Sequence, residues 1–128
     1  MKSSRRGKPL AARSGKEAYV PDRGDVVWLQ FNPQAGHEQA GRRPAVVISP
    51  RPYNQRSSLC IVAPVTSQQK GYPFEVPIPV DLPVAGVVLS DQLKSVDWNA
   101  REARFNCTLP EATTRSIVQR AGLLVTAG

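Results

Sequence analysis

Short apolar runs separated by clusters of proline, glycine and asparagine fill the middle of this chain, and their spacing is that of strands. Pro21 to Gly24 predicts a turn. Asp25 to Phe31 then alternates loosely through Val26, Val27, Trp28, Leu29 and Phe31 as a first strand closed by Asn32 and Pro33. Ala45 to Ile48 is an unbroken apolar run that suits a buried strand over 43–49, and Pro44 is tolerated at a strand entrance, where its missing donor costs least. Residues 50–58, with Pro50, Pro52, Asn54 and two serines, predict a turn-rich loop. Strands follow at 59–65, interrupted by Pro64, and at 74–78, after a turn at Gly71. The proline-dense stretch 79–83 is a connection, and Gly86 to Leu89 and Leu93 to Val96 are the last apolar runs, separated by the polar step 90–92. Short strands with frequent turn signals predict a mainly β (α+β) protein built as a compact barrel or sandwich.

The period changes only near the C-terminus. Pro110 and Glu111 suit a helix's first turn, and Ala112, Ile117, Val118, Ala121, Leu124 and Val125 recur near 3.6 residues, with Gly122 a mild break. This helix is expected to pack structurally on the sheet. No internal repeat is visible.

Length and charge refine the picture. A chain of 128 residues suits one domain with its own modest core. The formal charge is +7, but Lys2, Arg5, Arg6, Lys8, Arg13 and Lys16 stand against Glu17 alone before residue 19, so most of the basicity lies there. Residues 1–18 are therefore expected to be a disordered basic extension and 19–128 the folded domain. The extension reads either as an aid to phosphate binding or as dispensable. Cys60 and Cys107 lack metal-ligand spacing, and Cys60, inside an apolar run, is expected to be a buried thiol. No signal peptide and no apolar run near the ~20 residues of a membrane span are present, so a reducing cytoplasm is the expected location.

Candidate chemistry sits in HEQAGRRPAVVIS at 37–49 and APVTSQQKGYPFEV at 63–76. In the first, Arg42 and Arg43 stand at a strand entrance behind a glycine-bounded loop carrying His37 and Glu38. In the second, Thr66, Ser67, Gln68, Gln69 and Lys70 cluster at a strand end. The two read as walls of one groove suited to an anion, although Arg42–Arg43 also fits a solvated surface pair. A lone histidine excludes a paired-His site within one chain. No glycine-rich phosphate loop precedes a helix, and the carboxylates are scattered, so no metal site is expected.

From about Tyr19 to Val125, over four fifths of its length, the chain resembles the MazF/PemK toxins of bacterial toxin–antitoxin systems, through the motifs YVPDRGDVVWLQFNP, GHEQAGRRPAVVISP, APVTSQQKGYPFEV and GVVLSDQLKSVDW in family order. The resemblance implies a small SH3-like barrel of the MazF/PemK/CcdB toxin type with a C-terminal α-helix, acting as a homodimer. It implies cleavage of single-stranded RNA (mRNA) at short sequence motifs without metal or other cofactor, leaving 2′,3′-cyclic phosphate and 5′-hydroxyl ends and arresting translation and growth. It also implies a MazE-like antitoxin whose acidic, disordered C-terminal segment covers the RNA groove, and no membrane association.

By position in those motifs, Arg43 and Thr66 take the places of the family's catalytic arginine and threonine, and Glu38 matches a position implicated in activity. Lys70, Gln92 and Lys94 match groove-lining positions, and Arg42, Phe31, Ser67 and Gln68 are expected to bind RNA beside them. Arginine keeps its proton at neutral pH, which favours Arg43 as a charge clamp, but whether Arg43 or Glu38 acts as general base stays open. Trp28 and Tyr72 are groove aromatics by analogy or else core or dimer contacts. Asn99 stands where some relatives carry a basic residue, with Arg101 nearby. A gyrase poison of the same fold needs a C-terminal tryptophan, which the ending Val125, Thr126, Ala127, Gly128 lacks. A non-catalytic RNA- or peptide-binding barrel is the other alternative.

Overall fold

A computed structural model describes residues 19–30 and 41–127. Strands β1 (Asp25–Gln30), β2 (Arg42–Val47), β3 (Leu59–Thr66), β4 (Glu75–Pro77), β5 (Val87–Leu89), β6 (Lys94–Asp97) and β7 (Arg104–Thr108) are joined by helix α1 (Arg51–Ser57) and followed by helix α2 (Glu111–Thr126). The sheet runs β4-β5-β3-β2-β1-β7, with β6 also on β3, and every pairing is antiparallel. β3 is the hub. Its first half pairs with β6, its last two residues pair with β5, and its other edge pairs with β2, so the sheet bends about this strand into an open, barrel-like shape.

Strand alternation divides the interior in two. Val26, Val46, Ala63, Val65, Val76, Ile78, Val84, Val88, Leu109 and Ile117 form one layer, where α2 docks through Ile117. Val27, Leu29, Ala45, Val47, Cys60, Val62 and Val96 form the other. Cys60 is fully buried, as its apolar setting predicts. Among the described residues no helix is long and apolar enough to cross a membrane.

Two expectations change. Residues 51–57 form a helix where turn residues predict a loop. Pro52 is harmless in a first turn, Ser58 ends the helix in the left-handed region at φ 65°, and Asn54 is buried at the centre of a polar network. Asn54 accepts the Ser49 hydroxyl at 2.6 Å and donates to the carbonyls of Pro21 and Ser49 at 2.8 and 3.0 Å, while its own carbonyl accepts the Trp98 indole N–H at 2.9 Å. β7 has only a weak sequence signal, because Phe105 and Cys107 alternate with Arg104, Asn106 and Thr108 over just five residues and no side chain of the strand is fully buried. It forms as an edge strand on β1, with a register shift between Val26 and Val27.

Candidate active site

Two prolines shape the opening between β2 and β3. The amide of Ile48 donates to the Ile61 carbonyl at 2.9 Å, and the carbonyl of Val47 accepts from Gly24 on the opposite edge. Even-numbered residues of β2 therefore turn their backbone groups toward β3 and odd-numbered ones toward β1. Pro44 falls on the β3 side, where it has no N–H to donate. The ladder accordingly stops at Ala45↔Pro64. Pro64, by the same alternation, turns its nitrogen to the far edge of β3, between the end of the β6 ladder and the start of the β5 ladder, so the strand continues through it.

Beyond that last pair lie Arg43 and Thr66. The β2–β3 register, continued two positions, sets them opposite each other, and both share the side-chain face of Ala45, Val47 and Val62. Arg43 is exposed, and its backbone is held on the other edge by pairing with Leu29 in β1. Thr66 is half-buried, and its hydroxyl oxygen accepts the Gln68 amide at 3.1 Å, turning the chain into the loop that carries Ser67, Gln68 and Lys70, all exposed. The close approach beneath Thr66 requires Gly86. At φ +123° it lies so near that a Cβ there would come within 2.2 Å of the Thr66 carbonyl oxygen.

On the same face, a hollow of about 330 Å³ is lined by Val62, Pro64, Gln92, Leu93 and Lys94. Lys94 pairs with Val62 across β3 and β6, so the hollow follows β3 from Lys94 toward Thr66. The sequence-predicted residues Arg43, Thr66, Gln92 and Lys94 thus come together along one strand face, with the 67–70 loop beyond Thr66.

Arg42 behaves differently from its neighbour. Alternation puts it on the other face of β2, mostly buried, with an ion pair to Glu102 at 3.6 Å. The 98–103 turn also holds the end of β1, since Gln30 donates its amide to the Arg101 carbonyl at 2.9 Å and the Arg101 guanidinium donates back to the Gln30 carbonyl at 3.2 Å. Trp28, half-buried opposite Pro44 and Arg104, is likewise on the face away from Arg43. Phe31, His37 and Glu38 lie outside the described residues. Asn99 is exposed, and its backbone amide, like that of Ala100, donates to the Asp97 carboxylate that caps the same turn.

Two residues near the site were not singled out from sequence. Buried Glu75 accepts the amides of Lys70 and Gly71, and Asp91 accepts the Tyr72 hydroxyl at 3.1 Å; partial burial and that carboxylate push the Tyr72 phenol above its ordinary pKa. The signal for Glu75 was a single carboxylate at the head of an apolar strand. Among the described residues no group of His, Cys, Asp and Glu is arranged to hold a metal ion.

A family model described as a PemK-like, MazF-like toxin of type II toxin–antitoxin systems matches residues 22–125. The endoribonuclease toxin MazF of Escherichia coli K12 is 45% identical over 107 residues, covering 84% of this chain and 96% of that protein. Among solved structures, MazF of Deinococcus radiodurans (form I) is 50% identical with a TM-score of 0.76, covering 84% of this chain and 98% of the other. A MazE–MazF structure from the same organism (form II) is 42% identical with a TM-score of 0.77, covering 87% and 100%.

Proposed function

Because the chain belongs to the PemK-like, MazF-like toxins of type II toxin–antitoxin systems, we propose that it is the toxin of such a system, an endoribonuclease that cleaves single-stranded mRNA at short motifs. The observation that carries this reading is the end of the β2–β3 ladder at Ala45↔Pro64, which leaves a guanidinium and a hydroxyl on one strand face beside a hollow that bears Gln92 and Lys94.

The reaction begins with attack of a ribose 2′-oxygen on the adjacent phosphorus and ends with a 2′,3′-cyclic phosphate and a 5′-hydroxyl. Charge accumulates on the non-bridging oxygens, where the Arg43 guanidinium supplies two parallel donors. Thr66 complements it. Its oxygen is already engaged by the Gln68 amide, so its proton is left to donate to the phosphate and fix its orientation. Glu38 either holds Arg43 or accepts the 2′-proton, and the leaving 5′-oxygen takes a proton from the Arg43 side. Ser67, Gln68 and Lys70 on one wall and Gln92 and Lys94 on the other meet splayed bases and phosphates, with Phe31 as a stacking surface. Arg42, through Glu102, steadies the strand that presents Arg43.

The protein acts in the cytoplasm as a homodimer. A MazE-like antitoxin restrains it by laying an acidic C-terminal segment along the cationic groove. The deciding experiment incubates purified protein and EDTA with a long mixed-sequence RNA and maps 5′-hydroxyl ends. Discrete cuts are expected that fall at least about 100-fold in Arg43→Ala, the scale of a lost oxyanion donor. Bound but intact RNA would overturn the nuclease reading in favour of a non-catalytic barrel. Arg43→Lys retaining near-full activity would rule out the two-donor clamp, because lysine keeps the charge but not the fork.

A further inference from the structure

Between Thr66 and β4 the chain forms an exposed loop, Ser67 to Gly71, that carries Gln68 and Lys70. Apolar packing does not hold it. At its start Thr66 accepts the Gln68 amide, and at its end the amides of Lys70 and Gly71 converge on the two carboxylate oxygens of Glu75 at 2.9 and 2.8 Å. Gly71 has φ +87°, the left-handed conformation that lets successive N–H groups point at one anion. Glu75 is 8% exposed, and a carboxylate taken out of water is tolerated only with such charge-assisted bonds.

We propose that Glu75 is a positioning residue for RNA selection: by gripping two consecutive amides it sets the shape of the 67–71 loop and so determines which bases fit between Lys70 and the Gln92–Lys94 wall. The role rests on the nuclease reading above. Tyr72 extends the brace, because its hydroxyl donates to Asp91 in the turn that carries Gln92. Loop and turn are thereby coupled, and the width between them depends on the anchors beneath. Arg43 sits on a different strand, held by β1, so loosening the loop affects substrate fit more than the chemical step.

Glu75→Gln tests this, since an amide retains one acceptor oxygen and replaces the other with a donor facing an N–H. The parent chain and Glu75→Gln are compared by cut-site mapping on a mixed-sequence RNA, by kinetics on a short single-site RNA, and by amide exchange at Lys70 and Gly71. Expected are faster exchange at those two amides, a broadened cut motif, and KM raised about tenfold with kcat changed less than about threefold, the split that marks lost substrate binding. Tyr72→Phe, which leaves the buried carboxylate intact, is expected to broaden the motif in the same direction and stands in if Glu75→Gln does not fold. Faster exchange with an unchanged motif and KM would overturn the proposal. So would an unaltered motif in Tyr72→Phe where Glu75→Gln fails to fold. A parent chain that leaves RNA uncut removes the nuclease reading itself and this role with it, an outcome distinct from normal cutting by both.

Discussion

Asn54 shows how much one side chain can organise. Its amide satisfies the Ser49 hydroxyl and the carbonyls of Pro21 and Ser49, and the Ser49 hydroxyl in turn accepts the Ile61 amide, so the turn before β1, α1 and β3 meet at one fully buried polar group. Asn54→Ala strands these partners without water, and urea unfolding is expected to show a loss of roughly 3 kcal/mol. Cys60 carries a different signature. Burial pushes its thiol from 9.0 up to about 12. Between those values the folded chain keeps the proton that the unfolded chain releases, so the unfolded state binds fewer protons and stability falls as pH rises from about 9 toward 12. Tyr19, half-buried and bonded to Asp25, is shifted upward too and acts in the same direction above pH 10. Cys60→Ala is expected to lower stability at pH 7 yet flatten the alkaline decline by up to ~1.4 kcal/mol per pH unit, read from unfolding curves across pH 8–11. An equally steep limb would contradict it. Cys60's burial was legible in its run of apolar neighbours; the partners of Asn54 were not, because they come from three separate parts of the chain.

Elements explain what single residues cannot. The strands at 25, 43, 59 and 75 were readable from apolar runs and turn residues, because each buries side chains whose period survives in one dimension. Proline, asparagine and serine favour turns locally and so predict a loop at α1, and the buried hydrogen bonds of Asn54 to other parts of the chain favour the helical arrangement instead. β7 exists because β1 offers an unpaired edge, a cause outside its own sequence. The geometry at Pro44 gives an element-scale expectation. Pro44→Ala restores a donor on the β3 side, allowing the ladder to continue past Ala45↔Pro64 and bring the Arg43 and Thr66 ends together. Stability is expected to stay within about 1 kcal/mol, the net worth of one hydrogen bond, while cleavage falls at least tenfold; undiminished cleavage would show that the opening does not matter. At Gly86, alanine would combine a φ of +123° with a 2.2 Å approach to the Thr66 carbonyl. Gly86→Ala is expected to cost about 3 kcal/mol in thermal or chemical unfolding and to depress cleavage through Thr66.

For the whole molecule, charge is distributed unevenly. Of the net +7, five charges belong to residues 1–18, and those residues lie outside the matched 22–125. Deleting residues 1–18 is expected to weaken RNA binding at low salt and flatten its salt dependence while leaving the cut motif unchanged, because released counterions add affinity without base recognition. A changed motif in the truncated chain would give the extension a reading role. Composition, period and ordered motifs were sufficient to identify a β-rich domain with a C-terminal helix and to indicate the family, and through that resemblance to nominate Arg43 and Thr66, since each of these is written in local residue order. The tertiary structure alone decided that Arg42 and Arg43 part to opposite faces, that Pro44 ends one ladder where Thr66 begins the loop, and that Glu75 reaches back to Lys70 and Gly71. Those facts depend on strand register and on hydrogen bonds between segments, which the chain acquires only when the sheet assembles around its two apolar layers.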